Sequence, residues 1–390
     1  MSRRFGYQHI SLADVLVKRS ELLLSSEEDP EVILSILDRA GEIVKFNVGD
    51  QHPRYAEINE LKGMAYIKQE KYETALIHFE AANYVYLATY GDNHVKTARN
   101  RAMVAQLHYS KKSYEQAIKY YDLAMKTYGY IFDKKHPDYV RMLGKLGMSY
   151  YASKQYDKAA DALIRSTSSY IQYIDEYFPY LSENERTVYW NNIKKDFEIF
   201  NSLVAEYHEQ DNRLIEQMYN NQLAVKAILL NSSIQLKKRV YNYGDQETIK
   251  KYEAWLSRRE EYARYLGISK EKLDTIDVNL ELMNLEINRL EKELSETTKD
   301  FARDYEEELY TWKDVRSVLQ ENDVALEIIR VSHFDHILTD SIIYAALVVT
   351  KETKGNPSIV LLPNGTELEG RDFKFFRNGI KYKTCLLYTS

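Results

Sequence analysis

The run Pro137-Asp138-Tyr139-Val140-Arg141-Met142-Leu143-Gly144-Lys145-Leu146-Gly147-Met148-Ser149-Tyr150-Tyr151-Ala152, continued by Ser153-Lys154-Gln155-Tyr156-Asp157-Lys158-Ala159-Ala160-Asp161-Ala162-Leu163-Ile164, decides the fold. Val140, Leu143, Leu146, Gly147, Tyr150 and Tyr151 recur at helical spacing and make one apolar stripe. Ser153-Lys154-Gln155 interrupts that stripe, and Tyr156 opens a second helix with Ala159, Ala160, Leu163 and Ile164 facing inward. Upstream, the same pattern returns every 42 residues: His52, His94 and His136; Tyr72, Tyr114 and Tyr156; Ala75, Ala117 and Ala159; Gly63, Ala105 and Gly147. A fixed period of this size marks a solenoid of helix pairs, each too small to bury its own apolar face.

Two antiparallel helices approach closely only where a side chain is small. Gly63 with Ala75, Ala105 with Ala117, and Gly147 with Ala159 are therefore the expected packing points inside the three units. Glycine inside a helix costs about 1 kcal/mol relative to alanine, so two glycines at one repeat position indicate that packing outweighs propensity. Tyr72, Tyr114 and Tyr156 are expected to wedge against the following unit.

The order of a bulky residue, Gly or Ala, then Tyr, Ala and an aromatic resembles the tetratricopeptide repeat. Leu146-Gly147, Tyr150, Ala159 and Leu163 carry the likeness, as do Gly63, Tyr66, Ala75, Phe79 and Ala82. The middle unit departs, with Ala105 for Gly and His108 for the first Tyr. The unit length and the junctions Gly49-Asp50-Gln51-His52 and Gly91-Asp92-Asn93-His94 resemble the 42-residue subtype of kinesin-light-chain-like arrays. Three units are clear, and residues 32–50 read as the second half of a degenerate first one. The resemblance implies an α-solenoid over about residues 1–175 whose first helices line a groove for a protein or peptide. By it, Arg99, Gln106, Tyr109, Arg141, Met148 and Tyr151 face the groove, with Glu57, Glu60 and Met64 at one end.

The three periodic histidines do not suggest a metal. Packed helices stand roughly 10 Å apart, too far for three imidazoles to share an ion at bond lengths of about 2 Å. His52-Pro53 and His136-Pro137 read instead as helix starts, because Pro is favoured at the first helical position. No cofactor, metal or catalytic group is expected in this region. A net charge of −6 offers no broad basic field for nucleic acid. The single cysteine, Cys385, excludes an internal disulfide and suits a reducing cytoplasm. No apolar run is long enough to cross a membrane. With 14 Gly, 6 Pro and 34 Tyr, the composition favours long helices with few loops.

Beyond the repeats, residues 176–310 keep helical periodicity without the 42-residue grid. Ser182-Glu183-Asn184-Glu185 has the form of a capping box, and Gly244-Asp245 and Gly267 punctuate the helices. Leu273, Ile276, Leu280, Met283, Ile287, Leu290 and Leu294, with Phe301 a heptad on, form a coiled-coil seam. The expected partner is the preceding helix, folded back as a hairpin across Gly267-Ile268-Ser269; pairing with another chain is the alternative.

Composition changes after residue 310. Residues 323–331, 341–350 and 358–363 read as three strands, apolar on both faces and therefore suited to a sheet covered by helices. Trp312-Lys313-Asp314-Val315, Ala325-Leu326-Glu327-Ile328, Tyr344-Ala345-Ala346-Leu347-Val348-Val349 and Ile359-Val360-Leu361-Leu362-Pro363 resemble the opening of a CHAT domain, a caspase-like cysteine protease fold often preceded by tetratricopeptide repeats. That family works through a His and Cys pair. His333 and His336 follow the first strand and Cys385 comes too early, so none fits the pair, and no catalytic residue is assigned.

The whole reads as mainly α: a solenoid, a long helical hairpin, and the beginning of an α/β caspase-like sheet at 311–383. Residues 384–390 read as a foreign tail. The expected function is the interaction-bearing, regulatory N-terminal part of a CHAT-family protease, itself inactive. A non-enzymatic adaptor, or the sensor of a signalling protein with another output domain, are the alternatives.

Overall fold

The computed structural model of this chain describes residues 8–26, 28–178, 181–266, 268, 278–297, 310–375 and 377. Leu273, Ile276, Phe301, Cys385 and the 384–390 tail lie outside them. The chain divides into two compact units, residues 1–162 and 163–390.

The first unit holds α1 (Ile10–Leu24), α2 (Pro30–Val48), α3 (Pro53–Lys68), α4 (Tyr72–Tyr90), α5 (Val95–Ser110), α6 (Tyr114–Ile131) and α7 (Pro137–Ala152), and α8 (Tyr156–Tyr177) leaves it. Each of α1 to α6 packs against the next helix. The expected half-unit at 32–50 is in fact a complete pair, α1 with α2, closed by Val17, Ile33, Leu37, Ile43 and Val44.

Histidine starts four of these helices. The Nδ1 atoms of His9, His52, His94 and His136 accept from the amides of Ser11, Arg54, Lys96 and Asp138 at 3.1–3.2 Å. The side chain itself is the N-cap, satisfying an amide that the first turn leaves without a partner. That explains why His94, which no Pro follows, sits on the same grid. His9 stands 43 residues before His52, one off the period.

The turns within units repeat just as strictly. Glu70, Lys112 and Lys154 adopt φ of 59°, 60° and 62°. The next amides, of Lys71, Ser113 and Gln155, donate back to the carbonyls of Tyr66, His108 and Tyr150 at 2.8–2.9 Å. This is a Schellman ending, with a non-glycine residue in the left-handed position each time. Between units, Gly49 and Gly91 take φ of 85° and 76° with extended ψ, a region essentially reserved for glycine.

Gly63, Ala75, Ala105, Ala117, Gly147 and Ala159 are all buried. At Gly63, however, the tight contact is with Phe79. A Cβ built there would lie 2.6 Å from the ring. Tyr114 and Tyr156 pack back on Tyr109 and Tyr151 of the preceding helices, at 5.5 and 6.0 Å between ring centres.

The second unit contains α9 (Glu183–Tyr207), α10 (Arg213–Tyr243), α11 (Gln246–Tyr265) and α12 (Leu280–Thr297). The capping box forms: Ser182 and Glu185 bond each other's amides at 3.3 and 3.0 Å. The hairpin forms as well, α11 against α12, with Tyr252, Trp255, Ile287 and Leu294 in its core. An ion pair invisible in the sequence joins α9 to α12. Arg186 donates to Glu291 at 2.6 Å, and both side chains are buried.

A short helix α13 (Trp312–Val318) precedes β1 (Val324–Asp335), β2 (Ile337–Thr350) and β3 (Ser358–Leu362). They form an antiparallel meander in the order β1-β2-β3. Strand β1 runs to Asp335, so His333 lies within it, and only His336 (φ 61°) is in the turn. Ile329, Val331, Phe334, Ala345, Leu347 and Val349 are buried, and the Phe334 amide donates to Ser202 of α9 at 2.9 Å. Two-sided cover was expected; among the described residues Leu326, Ile328, Val360 and Leu362 of the other face are exposed.

Candidate partner-binding face

Repeat register places Glu57, Arg99 and Arg141 at one position of α3, α5 and α7, and Lys96 and Asp138 at another. Glu57 is held by Arg54 at 2.6 Å and lies 3.9 Å from Lys96. Arg141 donates to Asp138 at 2.5 Å. Arg99 is looser. Its Nε stands 3.7 Å from Glu60, its side chain is 65% exposed, and it makes no hydrogen bond to the described residues. Gln106, also exposed, accepts from the Tyr121 hydroxyl at 2.9 Å.

Two tyrosines on the second helices stand beside these charges. Tyr86 of α4 and Tyr128 of α6 share a repeat position and are buried. The Tyr86 hydroxyl donates to Glu60 Oε2 at 3.0 Å, while Glu60 Oε1 accepts no hydrogen bond. Burial raises Glu60 above the usual carboxylate range, against the opposing pull of Arg99 and the Tyr86 hydrogen bond. Burial likewise pushes the Tyr128 phenol up to about 12, with Asp138 adding to the effect and Arg141 and Arg99 opposing it.

The six residues expected to line a groove therefore separate. Arg99, Gln106 and Arg141 are exposed, whereas Tyr109, Met148 and Tyr151 are buried. The two tyrosines fold over the turn that follows their helix, onto Tyr114 and Tyr156, which removes them from the surface. Of the end group, Glu60 is buried and Met64 is half-buried in the core between α3 and its neighbours.

Sequence reading passed over the Tyr86 and Tyr128 position, although the 42-residue spacing marks it. It also treated His108 as a departure. The structure shows a swap: Tyr66 stacks on His78 at 5.2 Å in one unit, and His108 stacks on Tyr120 at 5.6 Å in the next. The ring pair persists with its two members exchanged. Burial lowers both imidazoles, which favours the neutral ring. Among the described residues, no three His, Cys, Asp or Glu side chains converge as metal ligands. No described helix is long and apolar enough to cross a membrane.

A tetratricopeptide-repeat family model matches residues 54–129 and 104–172. Residues 54–172 thus carry tetratricopeptide repeats, which imply a protein-interaction scaffold. Solved structures share the likeness. One is described as a kinesin light chain of Podosopora anserina with nearly identical tetratricopeptide-like repeats, at 12% identity and a TM-score of 0.43, covering 56% of this chain and 98% of that one. Another is BtubC (BKLC) from P. vanneervenii, at 14% identity and 0.37, covering 56% and 91%. Aspartyl phosphate phosphatase F from Bacillus subtilis follows at 14% and 0.36, covering 72% and 70%. No curated protein sequence matches the chain.

Proposed function

We propose that the face made by α3, α5 and α7 holds an extended peptide segment of a partner protein. The observation that carries this is Arg99: an exposed guanidinium that makes no hydrogen bond among the described residues, with Arg141 exposed at the matching repeat position and Gln106 exposed two turns further along α5. Guanidinium groups bind carboxylates and carbonyls through a rigid fork of donors, and arginine is prominent among residues that dominate binding energy. Selection of a random displayed peptide library on the full chain tests the reading. Peptides should be enriched, and Arg99→Ala or Gln106→Ala should weaken them about tenfold, the scale of one charge-assisted contact. Failure to enrich any peptide, or equal binding by both variants, would refute it.

A finer reading concerns the second unit. The three strands, with Leu326, Ile328, Val360 and Leu362 exposed on one face, suit the opening of a caspase-like sheet that further helices would cover. On that reading the repeats are the regulatory input of a cytoplasmic protease, and this stretch of chain has no turnover of its own. The gene sequence downstream of Lys383 decides it. A strand ending in His-Gly, and a later one leading to Cys, would support it; kinase or DNA-binding motifs would sink it.

A further inference from the structure

The repeat grid builds one arrangement twice in the first unit, once with a carboxylate and once without. Tyr86 and Tyr128 hold one repeat position, Arg99 and Arg141 a second, and Glu60 and Ala102 a third. Around Tyr86 the set is complete. Its hydroxyl donates to Glu60 Oε2 at 3.0 Å, and Arg99 stands 3.7 Å from Glu60 Oε1. Around Tyr128 the tyrosine and the arginine remain, but the side chain of Ala102 ends at its Cβ. Tyr128 is 3% exposed, and its hydroxyl has no hydrogen-bond partner among the described residues. Its oxygen, unlike Glu60 Oε1, is not sealed from solvent, so an incoming acceptor can reach it, and internal symmetry indicates which kind.

We propose that the position above Ala102 is a carboxylate site. There a glutamate or aspartate side chain of a bound peptide takes the place that Glu60 takes one unit earlier, accepting from the Tyr128 hydroxyl and from Arg141. This rests on the reading of the face as peptide-binding. The charged groups around Tyr128 are Asp138, Arg141, Arg99 and Glu60. Arg141 gives one nitrogen to Asp138 and keeps the rest of its donor fork for a ligand. Asp138, which stands where the preceding unit has Lys96, opposes an incoming anion. It therefore sets the affinity and provides a control.

The test uses peptides selected on the full chain, made in C-terminally amidated and free-acid forms, each compared with its Glu→Gln or Asp→Asn counterpart. One acidic residue should prove critical, its amide counterpart binding roughly tenfold more weakly, the scale of a hydrogen bond to a charged group. Amidated and free-acid forms should bind alike, which separates a side-chain carboxylate from a chain terminus. Tyr128→Phe, which keeps the ring, should erase the acid-over-amide preference, and Tyr86→Phe should leave it intact. Ala102→Glu should block the site from within, and Asp138→Asn should tighten the acidic peptide. Peptides that bind with no acidic preference, or a preference that survives Tyr128→Phe, would overturn this site and leave the peptide-binding face standing. A library that yields no binder would overturn both.

Discussion

Gly63→Ala isolates the steric logic of the repeat. A Cβ on Gly63 would meet three atoms of the Phe79 ring at 2.6, 2.8 and 2.9 Å. Carbon atoms rest at about 3.5–4.0 Å, so the ring would have to retreat by nearly 1 Å. Phe79 is wholly buried beside Ala75, Leu76, Val104 and Leu107, so its retreat must displace those neighbours. Overpacking of this kind costs about 1–3 kcal/mol, and a contact this close belongs at the upper end. Replacing glycine by alanine in a helix returns about 1 kcal/mol. The net expectation is a loss of about 2 kcal/mol, read from urea unfolding of the full chain by circular dichroism. Phe79→Leu should relieve the clash, so the double variant should be more stable than the sum of the two single losses implies. A neutral or stabilised Gly63→Ala, or strict additivity with Phe79→Leu, would refute the reasoning.

Other consequences are as direct. Lys112→Gly, at a left-handed position that costs an L-residue about 1–2 kcal/mol, should raise stability by about 1 kcal/mol in the same unfolding assay. Removing the Nδ1 acceptor by His94→Ala should cost about 1 kcal/mol, and His94→Asn should recover most of it, because asparagine caps equally well. Glu291→Gln removes the charge that balances buried Arg186 and should cost about 3–5 kcal/mol, while joint replacement by apolar residues should be far milder. Glu60 is raised in the folded chain, so folding favours its protonated form. Its ionisation therefore destabilises at neutral pH, and this penalty fades as pH falls through the folded value and is gone below about 4.5. Glu60→Gln should thus be more stable than the parent at pH 7, with the difference closing toward pH 4; a difference that widens on acidification would contradict the sign.

Much of the fold was legible because repetition multiplies weak signals. One glycine before a tyrosine means little, whereas Gly63, Ala105 and Gly147 at one spacing define a helix contact. The capping box at Ser182 and the α11–α12 seam were legible because their partners are near in sequence or periodic. What stayed hidden has three causes. His9 escaped because one extra residue moved it off the grid, although its Nδ1 does the same work as the others. The left-handed turns at Glu70, Lys112 and Lys154 carry residues with no conformational signature. Arg186 and Glu291 are separated by 105 positions, and nothing local marks them as partners. On the candidate face, the repeat resemblance pointed to six residues, of which Arg99, Gln106 and Arg141 are exposed. Tyr109, Met148 and Tyr151 were misread because an aromatic or methionine at a groove register can equally fold inward, and only packing decides.

The most direct measurement is a crystal structure of the full chain with a selected peptide bound. The peptide should lie across α3, α5 and α7, within hydrogen-bonding reach of Arg99 and Gln106. A peptide seated on the second helices of the units or on the exposed face of the β1-β2-β3 sheet, with Arg99 and Gln106 untouched, would contradict the assignment.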